Sequence, residues 1–212
     1  MKLAAFLSQH GGEIFQATLE HVWLVALAML LAIAIGVPLG ILVARRPWLS
    51  KPILGSANVA ETIPSLALFG FLLPVPWLGD RADRLAIAAL TLYALLPIIK
   101  NTVEGIRSVD PSVRESALAM GMTDRQILFQ VELPLSLSLL FAGIRVAAVL
   151  TVGIATIAAA VGAGGLGEFI FRGLAMVDNR LILAGAIPAA LLALGADFLL
   201  SLLERHWRPV RA

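Results

Sequence analysis

Long apolar runs dominate the chain, and short polar segments between them carry most of its charge. A helix needs about 20 mostly apolar residues to cross a hydrocarbon core about 30 Å thick, and five stretches reach that length. Val22 to Ala44 contains no charged residue, and Pro38, set between Gly36 and Gly40, predicts a kink near its far end. The run is too long for a signal-peptide core and no small-residue cleavage site follows it. Arg45, Arg46 and Lys51 come next, so we expect an uncleaved membrane helix stopped by positive charge. The second stretch, Pro52 to Trp77, is interrupted by Glu61 and broken by Pro64, which predicts a bent span that lines something other than lipid. The third runs from Leu85 to about Val103, with Pro97 and Lys100 near its end. The fourth, Leu135 to Val161, surrounds Arg145, and the fifth, Leu181 to Leu203, surrounds Asp197. The expected fold class is all-α: a polytopic membrane protein with about five transmembrane helices, forming a single domain over 1–212.

One substantial polar segment is left, from about Lys100 to Pro134, with the loop proper at about 104–133. It reads as two short helices. Asp110 is a good N-cap, Pro111 fits the first helical position and Gly121 suits a left-handed stop, giving a helix from Pro111 to about Met120. Thr123 followed by Gln126 has capping-box spacing and opens a second helix expected to end before Pro134. Two capped helices joined at a glycine make either a stiff protruding knob or an amphipathic connector lying on the membrane surface.

Composition supports the bilayer reading. Of 212 residues 59% are hydrophobic and 14% charged, whereas soluble domains run nearer half apolar and a quarter charged. The mean hydropathy of +0.92 and the low net charge also exclude a disordered chain. With no cysteine there is no disulfide framework, thiolate metal site or cysteine nucleophile. A net charge of +2 gives nucleic-acid binding little support. The basic residues instead report orientation, because cytoplasmic loops carry the excess of lysine and arginine. With the amino terminus outside, the inner set is Arg45, Arg46, Lys51, Lys100, Arg107, Arg114, Arg125, Arg205, Arg208 and Arg211. The outer set is Lys2, Arg81, Arg84, Arg172 and Arg180. The imbalance favours an outside amino terminus, a cytoplasmic carboxyl terminus and a cytoplasmic 104–133 loop.

Glu115, Ser116 and Ala117, then Gly121 after three residues, then Val131, Glu132, Leu133 and Pro134 after nine more, resemble the EAA loop of binding-protein-dependent ABC importer permeases, written E-A-A-x3-G-x9-I-x-L-P. Ser116 and Val131 depart from that pattern by small steric changes. The resemblance implies that Glu115, Ser116, Ala117, Gly121 and Pro134 belong to a coupling helix that inserts into a cleft on a separate ATP-binding subunit. Ala117 and Gly121 are four residues apart, and small residues on one helical face would let that partner approach closely. ETIPSLAL at Glu61 to Leu68, the stretch from Leu133 to Gly167 and that from Leu183 to Arg205 are similar to permeases for glycine betaine, carnitine and choline, the osmoprotectant branch. Methionine-type importer permeases are the nearest alternative.

That family implies a bacterial plasma (inner) membrane location, an extracytoplasmic solute-binding protein, and a second permease copy, since five helices are too few to enclose a path. It implies no enzyme activity and no cofactor in this chain, ATP and Mg being bound by the partner ATPase. The sequence agrees: there is no G-x-x-x-x-G-K-[ST] phosphate loop. The run Gly162, Gly164, Gly165 and Gly167 is followed by Glu168 and Phe169. Two readings of it stay open, tight helix packing or an irregular outer segment beside the translocation path. Glu61 and Pro64 are further candidates for a gate or path.

A charge near mid-bilayer costs about 2.5–3.5 kcal/mol on insertion scales. At about 1.5 Å per residue, Arg145 and Glu61 lie at similar depth and Asp197 nearer the cytoplasmic boundary. Arg145 is therefore expected to pair with Glu61 or Asp197, unless one of the acids faces the path and attracts the cationic head of a substrate. Trp23, Trp48, Trp77 and Trp207 fall near span ends, where indoles anchor in membrane lipid. An ion-coupled secondary transporter would need inverted repeats and ionisable relays, and no clear repeat is present. His10, His21 and His206 are too scattered for a metal-dependent enzyme.

Overall fold

The computed structural model describes residues 3–207, with side chains from His10 onward. Lys2, Arg208 and Arg211 of the orientation argument lie outside the described residues. Helix α1 (Leu3–Arg45) is far longer than the span expected from Val22. Glu13, Glu20 and His21 interrupt the apolar run without interrupting the helix. At about 1.5 Å per residue, α1 is about 65 Å long and must project well beyond the hydrocarbon. It also continues through Pro38 to Arg45.

A 3-10 turn at Pro47–Leu49 leads into α2 (Ser50–Thr62) and α3 (Ser65–Leu72). Between them Ile63 and Pro64 are extended, with ψ of 126° and 136°. This is the predicted bend, because a proline pushes the residue before it out of the helical region. The remaining elements are α4 (Ala82–Arg107), α5 (Pro111–Ala119), α6 (Asp124–Ile127), α7 (Leu133–Ala158), α8 (Gly167–Met176) and α9 (Asn179–Trp207). Among the described residues four helical stretches are long and apolar enough to cross a membrane: 10–45, 82–107, 124–161 and 179–207. The broken α2–α3 pair is the fifth candidate crossing, so the expected count of about five holds only with a discontinuous second span.

The helix that begins after Thr123 does not stop before Pro134 as expected. A π-helical turn at Leu128–Glu132, in which the Leu133 N–H bonds to the Leu128 carbonyl, carries it straight into α7 with Pro134 in the first turn. Proline is tolerated there because widened turns re-satisfy or spare the backbone groups it disturbs.

The core lies where α4 packs between α1 and α7. Leu90, Ala94 and Ile98 of α4 meet Ala28 and Ala32 of α1 and Ala147 and Ala155 of α7, all buried. Small residues at these seams permit close approach, which is how helices associate where lipid removes the hydrophobic drive. At Gly143 an added Cβ would lie 2.7 Å from the Pro97 carbonyl oxygen, so α7 touches the α4 backbone directly. Helix α9 is peripheral, with Leu191, Leu194, Phe198 and Leu199 exposed, as suits a surface solvated by lipid.

Candidate functional site

The loop between α4 and α7 is built largely from short-range contacts. The Asp110 carboxylate accepts the Ser112 N–H at 2.8 Å and caps α5. This bond favours the ionised form and holds the carboxyl below its ordinary value. At the other end, the Met122 N–H donates to the Ala117 carbonyl and the Gly121 N–H to Leu118, a Schellman closure. Gly121 takes φ +82°, and the space around its missing Cβ is open. Thr123 and Gln126 form the predicted capping box, with the Thr123 N–H donating to Gln126 Oε1 at 2.8 Å.

Glu115 and Ser116 are exposed, and Ser116 Oγ donates back to the Ser112 carbonyl at 2.8 Å. Ala117 differs from the expectation. It is 2% exposed, so its small side chain lets α5 lie against the chain's own body, and it shares no open face with Gly121. The apolar groups that do point outward are Val113, Leu118, Met120, 75% exposed, and Phe129. Phe129 carries the Arg125 guanidinium 5.9 Å from its ring centroid and borders an open cleft of about 470 Å³. Hydropathy reading passed over these residues because they sit singly in a polar segment.

Behind α5 the structure assembles a charge network that sequence spacing did not suggest. Glu132, 4% exposed, receives Arg45 Nη2 at 2.6 Å on Oε2 and Arg114 Nε at 3.6 Å on Oε1. Arg45 also donates to the Asp124 carbonyl at 3.3 Å, and Arg107 to the Val43 carbonyl at 3.3 Å. These arginines and Glu132 line a cleft of about 230 Å³ between the loop and the ends of α1 and α4.

Near the middle of α1, the glycine run is irregular and, at Gly167, tightly packed. Gly162, Gly164 and Gly165 all have φ near +80°, and Gly167 begins α8 against the Thr156 carbonyl. The Glu20 carboxylate accepts the Gly165 N–H at 3.2 Å, and His21, fully buried, contacts the Val152 carbonyl through Nε2 at 3.1 Å. Here α1 holds the glycine loop, a contact no run of apolar residues could announce.

The intramembrane arginine pairs with one of its two candidates. Arg145 Nε lies 2.8 Å from Asp197 Oδ1 and Nη2 lies 3.1 Å from Oδ2, a bidentate pair, while Nη1 reaches Glu204 Oε2 at 3.3 Å. Asp197 and Glu204 are seven residues apart and share one face of α9. The alternative pairing with Glu61 does not form. Glu61 is exposed near the end of α2, on an element that does not reach α7 at that point, and equal depth does not imply equal bearing around the bundle. The bend beside it is held by Tyr93, whose hydroxyl donates to the Ile63 carbonyl. Trp23, Trp48, Trp77 and Trp207 are all exposed, as interfacial anchors would be.

Comparison with known proteins adds ancestry to this geometry. The sequence pattern of the binding-protein-dependent transport system inner membrane components matches residues 36–209. The osmoprotectant import permease protein OsmW of Salmonella typhimurium is 44% identical over 201 residues, covering 94% of each chain. The glycine betaine/carnitine/choline transport system permease protein OpuCD of Bacillus subtilis is 45% identical over 211 residues, covering 99% of this chain and 91% of that one. Among solved structures, an inward-facing form of the MetNI methionine ABC transporter aligns with a TM-score of 0.80 at 23% identity, over 90% of this chain and 94% of that one. An amino acid ABC transporter with histidines aligns at 0.77 and 18% identity, over 95% and 97%. At those identities the two structures speak for the fold.

Proposed function

The chain belongs to the binding-protein-dependent transport system inner membrane components, and from that premise we propose that it is the permease subunit of an ATP-driven importer for quaternary-amine osmoprotectants: glycine betaine, choline or carnitine. The observation that carries this reading is the E-S-A, glycine and V-E-L-P spacing on a stiff, capped loop. Near-full-length identity to osmoprotectant permeases supports the substrate class. In this reading α5 docks on an ATP-binding subunit that holds ATP and Mg, and this chain catalyses no reaction itself. Exposed Glu115 and Met120 meet that subunit, and open space around Gly121 admits it.

A solute-binding protein delivers the quaternary amine to the opposite face. Gly162, Gly164, Gly165 and Gly167 there, with Glu61 and Pro64 at the broken span, form the gate or path. A second permease copy or sister permease completes the channel. The amino terminus is outside and the carboxyl terminus cytoplasmic, following the arginine and lysine imbalance. Fold likeness to a methionine transporter at 23% identity does not favour methionine as cargo.

The test is uptake by proteoliposomes containing this chain, its ATPase and its binding protein. ATP-dependent accumulation of labelled glycine betaine, choline or carnitine, unaffected by excess methionine, is expected. Accumulation of methionine with none of the three amines would overturn the assignment, and a reporter after Ala212 active only outside the cytoplasm would overturn the topology.

A further inference from the structure

We propose that Glu132 is a positioning residue that makes α1 move with the coupling loop. The inference rests on the reading of that loop as the ATPase-docking element. The loop is covalently joined to α4 and α7 only, and α1 leaves it for α2. Apart from lateral packing and the Arg107 bond to the Val43 carbonyl, loop motion reaches α1 through the polar contacts of Arg45, its last residue. The Arg45 contacts converge on one place. Glu132 takes Arg45 on one carboxylate oxygen at 2.6 Å and Arg114 on the other at 3.6 Å. Arg114 immediately precedes Glu115, so a half-exposed residue of α5 reaches back to Glu132 from beside the docking surface. Arg45 also grips the Asp124 carbonyl at 3.3 Å, engaging the second short helix as well.

Three features suit this network to transmission. The Glu132 side chain is 5% exposed, so the surrounding salt screens the pair little. Arg45 fixes one carboxylate oxygen by a short charge-assisted hydrogen bond, and Arg114 stands 3.6 Å from the other as a looser ion pair. Glu132 also closes the π turn at Leu128–Glu132, and single π turns recur at functional sites where a helix must yield locally. A compliant turn beneath a rigid ion pair lets the loop rotate against α7 while staying fastened to α1.

The chain has no cysteine, so it contributes no background labelling of its own. Trp48→Cys and Ser112→Cys, both exposed, put spin labels just past α1 and at the start of α5. In the complete transporter in nanodiscs, we expect one narrow label distance with and without trapped ATP. Glu132→Gln should broaden that distance, lower solute transported per ATP hydrolysed at least about fivefold, within the range for residues on a coupling route, and leave assembled transporter unchanged. Glu132→Asp should restore part of the ratio. Arg114→Gln, at a half-exposed position that folding tolerates, should act in the same direction more weakly.

A label distance that changes between nucleotide states in the otherwise native chain would overturn the proposal. So would a Glu132→Gln protein that loses thermal stability but keeps its transport-to-hydrolysis ratio. Failure of the parent reading is separable: there Glu115→Lys and Gly121→Asp would transport normally whatever Glu132 does.

Discussion

The Tyr93 hydroxyl donates to the Ile63 carbonyl, so a side chain from α4 satisfies the backbone group left open where Pro64 splits the second span. An unpaired carbonyl in a membrane interior is costly, and this bond lets the break persist as a fixed bend. Tyr93→Phe should cost about 1–3 kcal/mol, the range for orphaning a buried acceptor. The check is chemical unfolding in detergent, and a variant as stable as the parent would show that something else satisfies Ile63.

Gly121 has a left-handed φ and open surroundings within its own chain. An aspartate there costs only the modest penalty of that backbone region, which Asp tolerates better than most residues. Gly121→Asp and Glu115→Lys should therefore insert and fold normally yet abolish uptake, as the proposed docking of an ATPase at this surface requires. Membrane amounts by immunoblot and uptake by radiolabel decide the matter.

Arg145 serves two carboxylates, Asp197 and the buried Glu204. Arg145→Ala removes the counter-charge of Asp197 and one partner of Glu204, and a carboxylate left unpaired within a membrane span is costly. The amount of monodisperse protein on fluorescence-detected gel filtration should drop severalfold, and adding Asp197→Asn should recover part of it. Glu61→Gln is expected to leave that amount intact and to reduce uptake; full uptake would remove Glu61 from the path.

The glycine loop is fitted against α1. At Gly165 an added Cβ would sit 3.2 Å from His21 Nδ1 and carry a φ of +82°. Gly165→Val should lower uptake about tenfold or more, since a β-branched residue is poorly accommodated at positive φ. Gly162→Ala, facing open space, should be milder. Equal effects from the two would detach function from the Glu20 and His21 contact.

Asp110 caps α5 more tightly as a carboxylate than as an acid. Its folded value is depressed by the Ser112 N–H, so its contribution is present above the usual carboxylate range and is lost as pH falls through that lower folded value. Amide protection at residues 112–114, taken relative to the intrinsic exchange rate at each pH, should fall on acidification in the native chain. In Asp110→Asn, which keeps an N-cap without a titrating group, protection should not change with pH over that range.

Much of the 104–133 loop was legible because its determinants are local. The Asp110 cap, the Thr123 and Gln126 box and the Gly121 stop each act within a few residues, where propensity and spacing speak directly. The outer half of α1 was not legible: hydropathy marks where lipid begins, not where a helix does, and Glu20 and His21 look like an ending until Gly165 and Val152 are seen beside them. Depth placed Arg145 level with Glu61, but its true partner depends on which helix faces it. Glu132 stands at a position the loop pattern leaves unspecified. Its burial depends on a π turn and on an arginine 87 residues away.

The unbroken passage of α1 through Pro38 has a mechanical corollary. Glu20, near the middle of the helix, and Arg45 at its end are about 38 Å apart along one axis, and Ala28, Ala32, Gly36, Gly40 and Val43 rest on α4 all the way between them. A rod bedded along its length has no free arm. A push at Arg45 is therefore shared by every contact up to the glycine loop and cannot be absorbed at one joint.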